Sequence, residues 1–406
     1  LNETNFHSIP SAGRDELEMK ILLLAPHPFY QERGTPIAVN LLLQTLSGLG
    51  HTVDVLTYHE GSGVTYPGVT IHRIRRPPFA RNVPPGPSLK KILCDLYMLP
   101  KALSMARHNA YDLVHAVEES VYMAMLIRRR RGIPYLYDMD SSLARQVAEK
   151  FPFLGFLLPL MTRTERAAIR GALVVVPVCD ALARIAVHDG ARQVVLLRDI
   201  SLLSPASKED REAVCQLVPH DDALCFMYIG NLESYQGADL MLDSFADFLK
   251  SGCPARLVIA GGKETDILKY RKKASLLGIS DATLFLGPQP ISRMAALFET
   301  ADILISPRIK GNNTPMKIYS YLASGKAILA TDLPTHTQVL VPGVALLAAP
   351  DRRSFAGAMQ KLAEDGALRG TLAARATELA HACHSRDSFR KDVTELYSRV
   401  QKAIQS

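Results

Sequence analysis

Residues 20–56 read KILLLAPHPFYQERGTPIAVNLLLQTLSGLGHTVDVL. Lys20 to Ala25 is an almost unbroken apolar run, the pattern of a parallel strand buried on both faces. A polar loop follows, Pro26 to Thr35, and contains Gly34. Pro36 to Leu49 carries its leucines at helical spacing and stops at Gly50. Thr52 to Leu56 is apolar again. Strand, loop, helix and strand in this length make one βαβ unit, because parallel strands need a crossover of about a dozen residues or more.

The same alternation continues outward from this unit. Val69–Ile74, Leu113–Ala116, Tyr135–Tyr137 and Leu173–Pro177 read as strands, and Leu89–Arg107, Ser120–Arg131, Leu143–Lys150 and Thr162–Gly171 as helices. The rhythm lapses over residues 194–206, where Pro205 and Ser207 read as a linker. A second series follows, with strands at Cys225–Ile229, Arg256–Ala260, Thr283–Leu286, Ile303–Ser306, Ala327–Ala330 and Val344–Leu347. Two βα series around one break predict an α/β protein of two doubly wound Rossmann-like domains. A chain of 406 residues suits two such domains. The divisions are a flexible extension over 1–18, a first domain over 19–200, a second over 201–385 and a terminal helix over 386–406. Ligands of such sheets bind beyond the carboxyl ends of the strands, so a cleft between the two domains is expected to hold them.

Composition narrows the function classes. Apolar residues make up 48% and charged residues 21%, as in ordinary globular chains. The net charge of +7 is local: residues 72–131 hold twelve Lys/Arg and four Asp/Glu, or +8, and the remainder sums to about zero. This basic face includes Arg73, Arg75, Arg76, Arg81, Lys90, Lys91 and the run Arg128, Arg129, Arg130, Arg131. It suits an anionic membrane surface, with the apolar stretch Phe151–Met161 beside it. Nucleic acid is not expected as a partner, because no binding motif accompanies the charge. The six cysteines form no CxxC pair and fit a reducing cytoplasm, peripheral on the inner membrane face. No segment is long and apolar enough to span a bilayer. His381, Cys383 and His384 read as a helix surface and not as metal ligands.

The candidate chemistry lies after strands. Ser306 to Thr331 reads SPRIKGNNTPMKIYSYLASGKAILAT. Here Thr314 is expected to cap a helix beginning at Pro315, leaving the amides of Met316 and Lys317 to meet an anion, with Lys317 adding charge. Gly230 to Gly237, with Asn231 and Gln236, and Gly261–Gly262 end two further strands, where small residues allow close approach of a phosphate-bearing ligand. In the first domain there is no G-x-G-x-x-G, so a dinucleotide site is unsupported. Glu118–Glu119 and Asp138/Asp140 follow strands, where carboxylates orient hydroxyls or act as a base.

These stretches together resemble the family 4 glycosyltransferases of GT-B architecture. The likeness rests on MKILLLAP, Gly34 and LSGLGHTVDVLT in the first half. In the second half it rests on YIGNLESYQGADLML, LVIAGG, LFLGPQPISRMAALFETADILISPR and TPMKIYSYLASGKAILATD. The resemblance implies a retaining, metal-independent transferase using a nucleotide-diphospho-sugar, with no cofactor, acting on a glycan or lipid-linked acceptor. It also implies a terminal helix that returns to the first domain. Carried onto this chain, it makes Asp140, Lys317 and Arg308 the candidate catalytic residues. It assigns the donor to Gly34, Gly230, Asn231, Gln236, Gly261, Gly262, Asn312, Asn313, Thr314, Pro315, Met316 and Ser320. Several family positions differ: Asn312 and Ser320 replace two glutamates, Asn231 and Gln236 replace an Arg and a Lys, and Asp140 replaces a His. Those replacements keep open a nucleotide-sugar epimerase on the same scaffold, or a non-catalytic nucleotide-sugar-binding protein.

Overall fold

The computed structural model describes residues 18–406 except 32, 33, 85, 87, 151, 202, 220, 312 and 406. The extension at 1–18, apart from its last residue, and Asn312 therefore lie outside the described residues. The chain divides into two compact units. The first comprises Leu1–Val178, Leu182–Leu197 and Arg390–Ser406; the second comprises Cys179–Ala181 and Arg198–Phe389.

The first unit is built on six parallel strands: β1 Lys20–Ala25, β2 Thr52–Thr57, β3 Val69–Arg73, β4 Leu113–Val117, β5 Tyr135–Met139 and β6 Val174–Pro177. Their order is β3-β2-β1-β4-β5-β6. The second unit repeats the plan with β7 Leu224–Ile229, β8 Ala255–Ala260, β9 Thr283–Gly287, β10 Ile303–Ser306, β11 Ala327–Thr331 and β12 Leu346–Ala348, in the order β12-β11-β10-β7-β8-β9. In each sheet the winding reverses between the first and fourth strands of the unit. That switch point is where such sheets leave a crevice at their carboxyl edge.

Burial follows the pleat. Phe226 and Tyr228 of β7 and Ile303 and Ile305 of β10 belong to one core cluster. Cys225, Met227 and Leu304, which alternate with them in sequence, belong to the cluster on the opposite face. Both faces are covered, which is why these strands are near-continuously apolar instead of alternating.

Three expectations are corrected by local structure. The apolar run after Phe151 is a 3-10 turn, Pro152–Leu157, leading into the helix Leu158–Gly171, which starts four residues earlier than its polar part suggested. Ser207 is not linker: it caps the helix Lys208–Leu217, its side chain accepting the Asp210 amide. His384 is buried, its ring edge-on to Tyr319 at 4.9 Å, and not a surface residue. The terminal helix Arg386–Gln405 contributes Tyr397 to the first unit, where its hydroxyl lies 2.7 Å from Nδ1 of His115 on β4. The His115 Nε2 lies 3.2 Å from Asp138 on β5.

Candidate active site at the carboxyl edge of the second sheet

β7 and β10 pair only through Ile303↔Phe226 and Leu304↔Met227, then part. Tyr321, buried on the helix Lys317–Ala323, fills the gap. Its hydroxyl accepts the Ile229 amide at 3.0 Å and donates to the Ile305 carbonyl at 3.3 Å. The phenol thus satisfies backbone groups that the ladder leaves open while the strands splay.

The loops leaving these strands are stitched together. The Ile309 amide donates to the Tyr235 carbonyl at 2.9 Å. Gly237 has φ +76°, and a Cβ there would lie 1.9 Å from the Pro307 carbonyl oxygen. Gly261 follows β8 with φ +109°, and its Cβ would lie 2.2 Å from the Gly230 carbonyl oxygen. Only glycine permits both approaches. Three strand-end loops therefore converge, as their sequences suggested.

Lys317 reaches into this convergence. Its Nζ sits 3.9 Å from the centroid of the Tyr228 ring and 3.4 Å from Oε1 of Gln236. A Cβ on Gly230 would be 3.3 Å from the same nitrogen. The Tyr228 hydroxyl donates to the Asn231 carbonyl at 2.6 Å, which fixes the ring beneath the ammonium. Burial, and then the charge of Arg308, hold Lys317 well below the usual lysine range. A cation so placed has given up water and gains from an arriving anion.

Arg308 is buried and stacks over Tyr235 at 5.2 Å. Its Nε donates to the Lys310 carbonyl at 2.7 Å, and its other nitrogens reach the carbonyl and side chain of Asn313 at 3.3 Å. Arg308 therefore shapes the loop as well as charging it.

Behind the loop lies a polar network that the sequence reading missed. The Thr331 hydroxyl donates to the Arg308 carbonyl at 2.5 Å, and the Thr335 hydroxyl to the Asn313 carbonyl at 2.7 Å. The His336 Nδ1 is 2.9 Å from the Thr331 carbonyl, which can only accept, so Nδ1 carries the proton. Its Nε2 then accepts from the Ser306 hydroxyl at 2.8 Å. Burial pushes His336 down to about 3, so the ring is neutral. Tyr228, Tyr321, Thr331 and His336 read in sequence only as core, because nothing local distinguishes a core polar group from a positioning one.

The expected helix start is corrected. The helix begins at Lys317, with Met316 at its cap position and no side-chain cap. Thr314 is buried and does not cap; the Ile318 amide bonds the Pro315 carbonyl at 2.9 Å, so Pro315 and Met316 form a turn ahead of the helix. Charge at this edge comes from Lys317 and Arg308 rather than from a capped helix start. Ser320 is half-buried on that helix. Gly261 and Gly262 lie against Gly230 and Leu232 respectively.

The first unit holds the remaining candidates. Gly34 opens the helix Gly34–Gly48 after β1, and Asp140 stands immediately past β5. The arginine face is corrected in part. Arg73 donates to the carbonyls of Phe29, Glu60 and Ser62 at 2.6–2.8 Å, and Arg128 donates to the Gly171 carbonyl. Lys91 is buried in an ion pair with Glu119. These three pin loops and helices together, whereas Arg75, Arg76, Arg81, Lys90, Arg129, Arg130 and Arg131 are exposed. No described helix is long and apolar enough to cross a membrane.

The family comparisons agree with this architecture. A family model described as "Glycosyl transferases group 1" matches residues 211–379, and a "Glycosyl transferase 4-like domain" matches residues 33–198. The chain belongs to the family 4 type of glycosyltransferases, with the GT-B fold. It is 28% identical over 171 residues to a D-inositol 3-phosphate glycosyltransferase of Acidothermus cellulolyticus, covering 40% of this chain and 37% of that protein. It is 22% identical over 385 residues to a phosphatidyl-myo-inositol mannosyltransferase of Mycolicibacterium smegmatis, covering 89% of each. Anabaena HepE, solved with UDP and glucose, superposes with a TM-score of 0.73 at 17% identity, over 94% of this chain and 99% of that one.

Proposed function

We propose that this protein transfers a sugar from a nucleotide-diphospho-sugar to an acceptor hydroxyl, with retention of configuration and without a metal. The observation that carries the reading is Lys317: a partly desolvated ammonium held at the Gly230 turn, between the loops of the second sheet's switch point. The solved likeness of HepE with UDP supports a nucleotide donor. Lys317 meets the diphosphate, with Arg308 and the Asn313 loop beside it. Gln236 and Asn231 supply neutral hydrogen bonds where relatives of this family carry charge.

In the reaction, the bond from the anomeric carbon to the diphosphate oxygen breaks as the acceptor oxygen bonds that carbon. The acceptor proton passes to the departing diphosphate. Charge grows on the leaving oxygens, so a fixed cation there binds the transition state better than the ground state. Asp140, at the carboxyl edge of the first sheet, is proposed to orient the reacting sugar. The glycan or lipid-linked acceptor and an anionic membrane surface belong to this same proposal.

A thermal-shift screen over nucleoside diphosphates and their sugars tests the donor, since a ligand of the native state raises Tm. At least one diphosphate is expected to raise Tm, and to do so unchanged in EDTA. A flat response to all of them overturns the reading. Diphosphate release with acceptor distinguishes transfer from epimerisation, which interconverts the sugar without one.

A further inference from the structure

The first unit contains a cavity of about 810 Å³ with walls that the donor chemistry does not use. It opens between the helices Leu89–His108, Val121–Arg131, Leu143–Lys150 and Leu158–Gly171, beside the turn Pro152–Leu157. Leu89, Leu96 and Phe153 stand at its lining, 85%, 63% and 74% exposed. Large apolar side chains left that open are unusual unless something covers them.

Its charged lining residues are Lys91, Asp95 and Glu119, and Ser88, Tyr122 and Gln146 add neutral polar groups. Glu119 lies two residues beyond β4, at the carboxyl edge where folds of this kind place their chemistry. Tyr58 donates to Asp95 at 2.6 Å, and Lys91 pairs with Glu119 and lies 3.8 Å from Glu118. Three carboxyl groups thus crowd one ammonium, and burial pushes Asp95 and Glu118 up to about 7, so the cluster can both accept from and donate to hydroxyls. Lys91 is already paired with Glu119, which leaves it little to offer a phosphate.

We propose that this cavity receives the single alkyl or isoprenoid chain of an amphiphilic acceptor, with a hydroxylic head against Lys91, Asp95 and Glu119. The inference rests on the transferase reading and names its acceptor class. A volume of this order suits a small-molecule chain. A peptide would bring backbone amides and carbonyls against Leu, Ile and Met walls that cannot pair them. The carboxyl-rich polar lining, with donors and acceptors both present, complements a sugar or polyol head.

The test uses n-dodecyl maltoside below its micelle concentration, with the full chain, by calorimetry. Saturable one-to-one binding is expected, at least tenfold tighter than dodecyl phosphate. Leu96→Asp and Phe153→Asp, both on exposed wall positions, should each weaken it at least tenfold. Phe79→Asp, more exposed than either and outside the cavity, should leave it unchanged. The Tm rise with UDP, read on every variant, reports an intact fold and donor domain separately. Absence of saturable binding overturns the inference, as does equal weakening in all three variants. Self-association abolished by Leu96→Asp overturns it in favour of a second copy, and binding only to phosphatidylglycerol vesicles overturns it in favour of a membrane face. A nucleotide response without chain binding would refute the cavity alone, and the reverse would refute the donor reading alone.

Discussion

The Nζ of Lys317 lies 3.9 Å from the centroid of the Tyr228 ring, and Tyr228 is held there by its bond to the Asn231 carbonyl. The ring face compensates part of the charge that burial strips of water. The ring face favours the charged form while burial and Arg308 oppose it, and the consequences of that balance are measurable.

Lys317→Ala should weaken nucleoside diphosphate binding at least tenfold and lower turnover further, with Tm unchanged or raised. Removing a desolvated cation relieves a cost of the unliganded protein. Unchanged diphosphate affinity and turnover would remove Lys317 from the site. Because its pKa is held down in the free protein and an anion raises it, binding should take up protons. Calorimetry in buffers of differing ionisation enthalpy reads that uptake.

Tyr321→Phe removes one hydroxyl that serves two backbone groups. We expect a loss of about 2 kcal/mol in urea unfolding, because buried amides and carbonyls left unpaired cost about 1–3 kcal/mol each and part is recovered by relaxation. Donor affinity should fall as well, since β7 and β10 lose their spacer.

Gly237→Ala should destabilise by about 2 kcal/mol or more. The φ of +76° disfavours any side chain, and the new methyl would meet the Pro307 carbonyl. Gly252→Ala, with φ +79° but open space around it, isolates the backbone contribution from the clash.

His336 sets an acid limit. Its folded pKa, about 3, is below the unfolded value of about 6.5. The unfolded chain therefore binds more protons in that interval. The contribution is complete above pH 6.5 and is lost as pH falls toward 3. Buried His384, pushed down to about 4, acts with the same sign. Tm measured from pH 7 to pH 4 should fall less steeply in His336→Gln than in the parent, whatever its starting value.

Asp95 carries the opposite sign. Burial, with Glu119 next, pushes it up to about 7, so folding favours its protonated form. Its contribution to stability declines as pH rises from about 4 through 7. Asp95→Asn removes that opposing contribution, so Tm should fall more steeply from pH 7 to pH 4 than in the parent.

The sequence carried the architecture because parallel strands buried on both faces must be apolar without interruption, and KILLLA at residues 20–25 and LVIA at 257–260 are. It also carried the strand-end loops, since Gly230, Gly237 and Gly261 mark chain reversals in any such sheet. It misplaced the helix start at Thr314–Pro315, where good capping residues are used in a turn instead. Capping preference is worth about 1 kcal/mol, and the packing of Thr314 and the Asn313 loop outweighs it.

By itself, then, the sequence determined two βα series and which loops end their strands, because periodicity and glycine are local properties. Tertiary structure decided which polar residues work together. Tyr321 meets Ile229 across 92 positions, His115 meets Tyr397 across 282, and Arg73, Arg128 and Lys91 turn inward from a charge run that looks like surface. Hydrogen bonds and ion pairs form over about 3 Å in space, and no spacing along the chain encodes that distance.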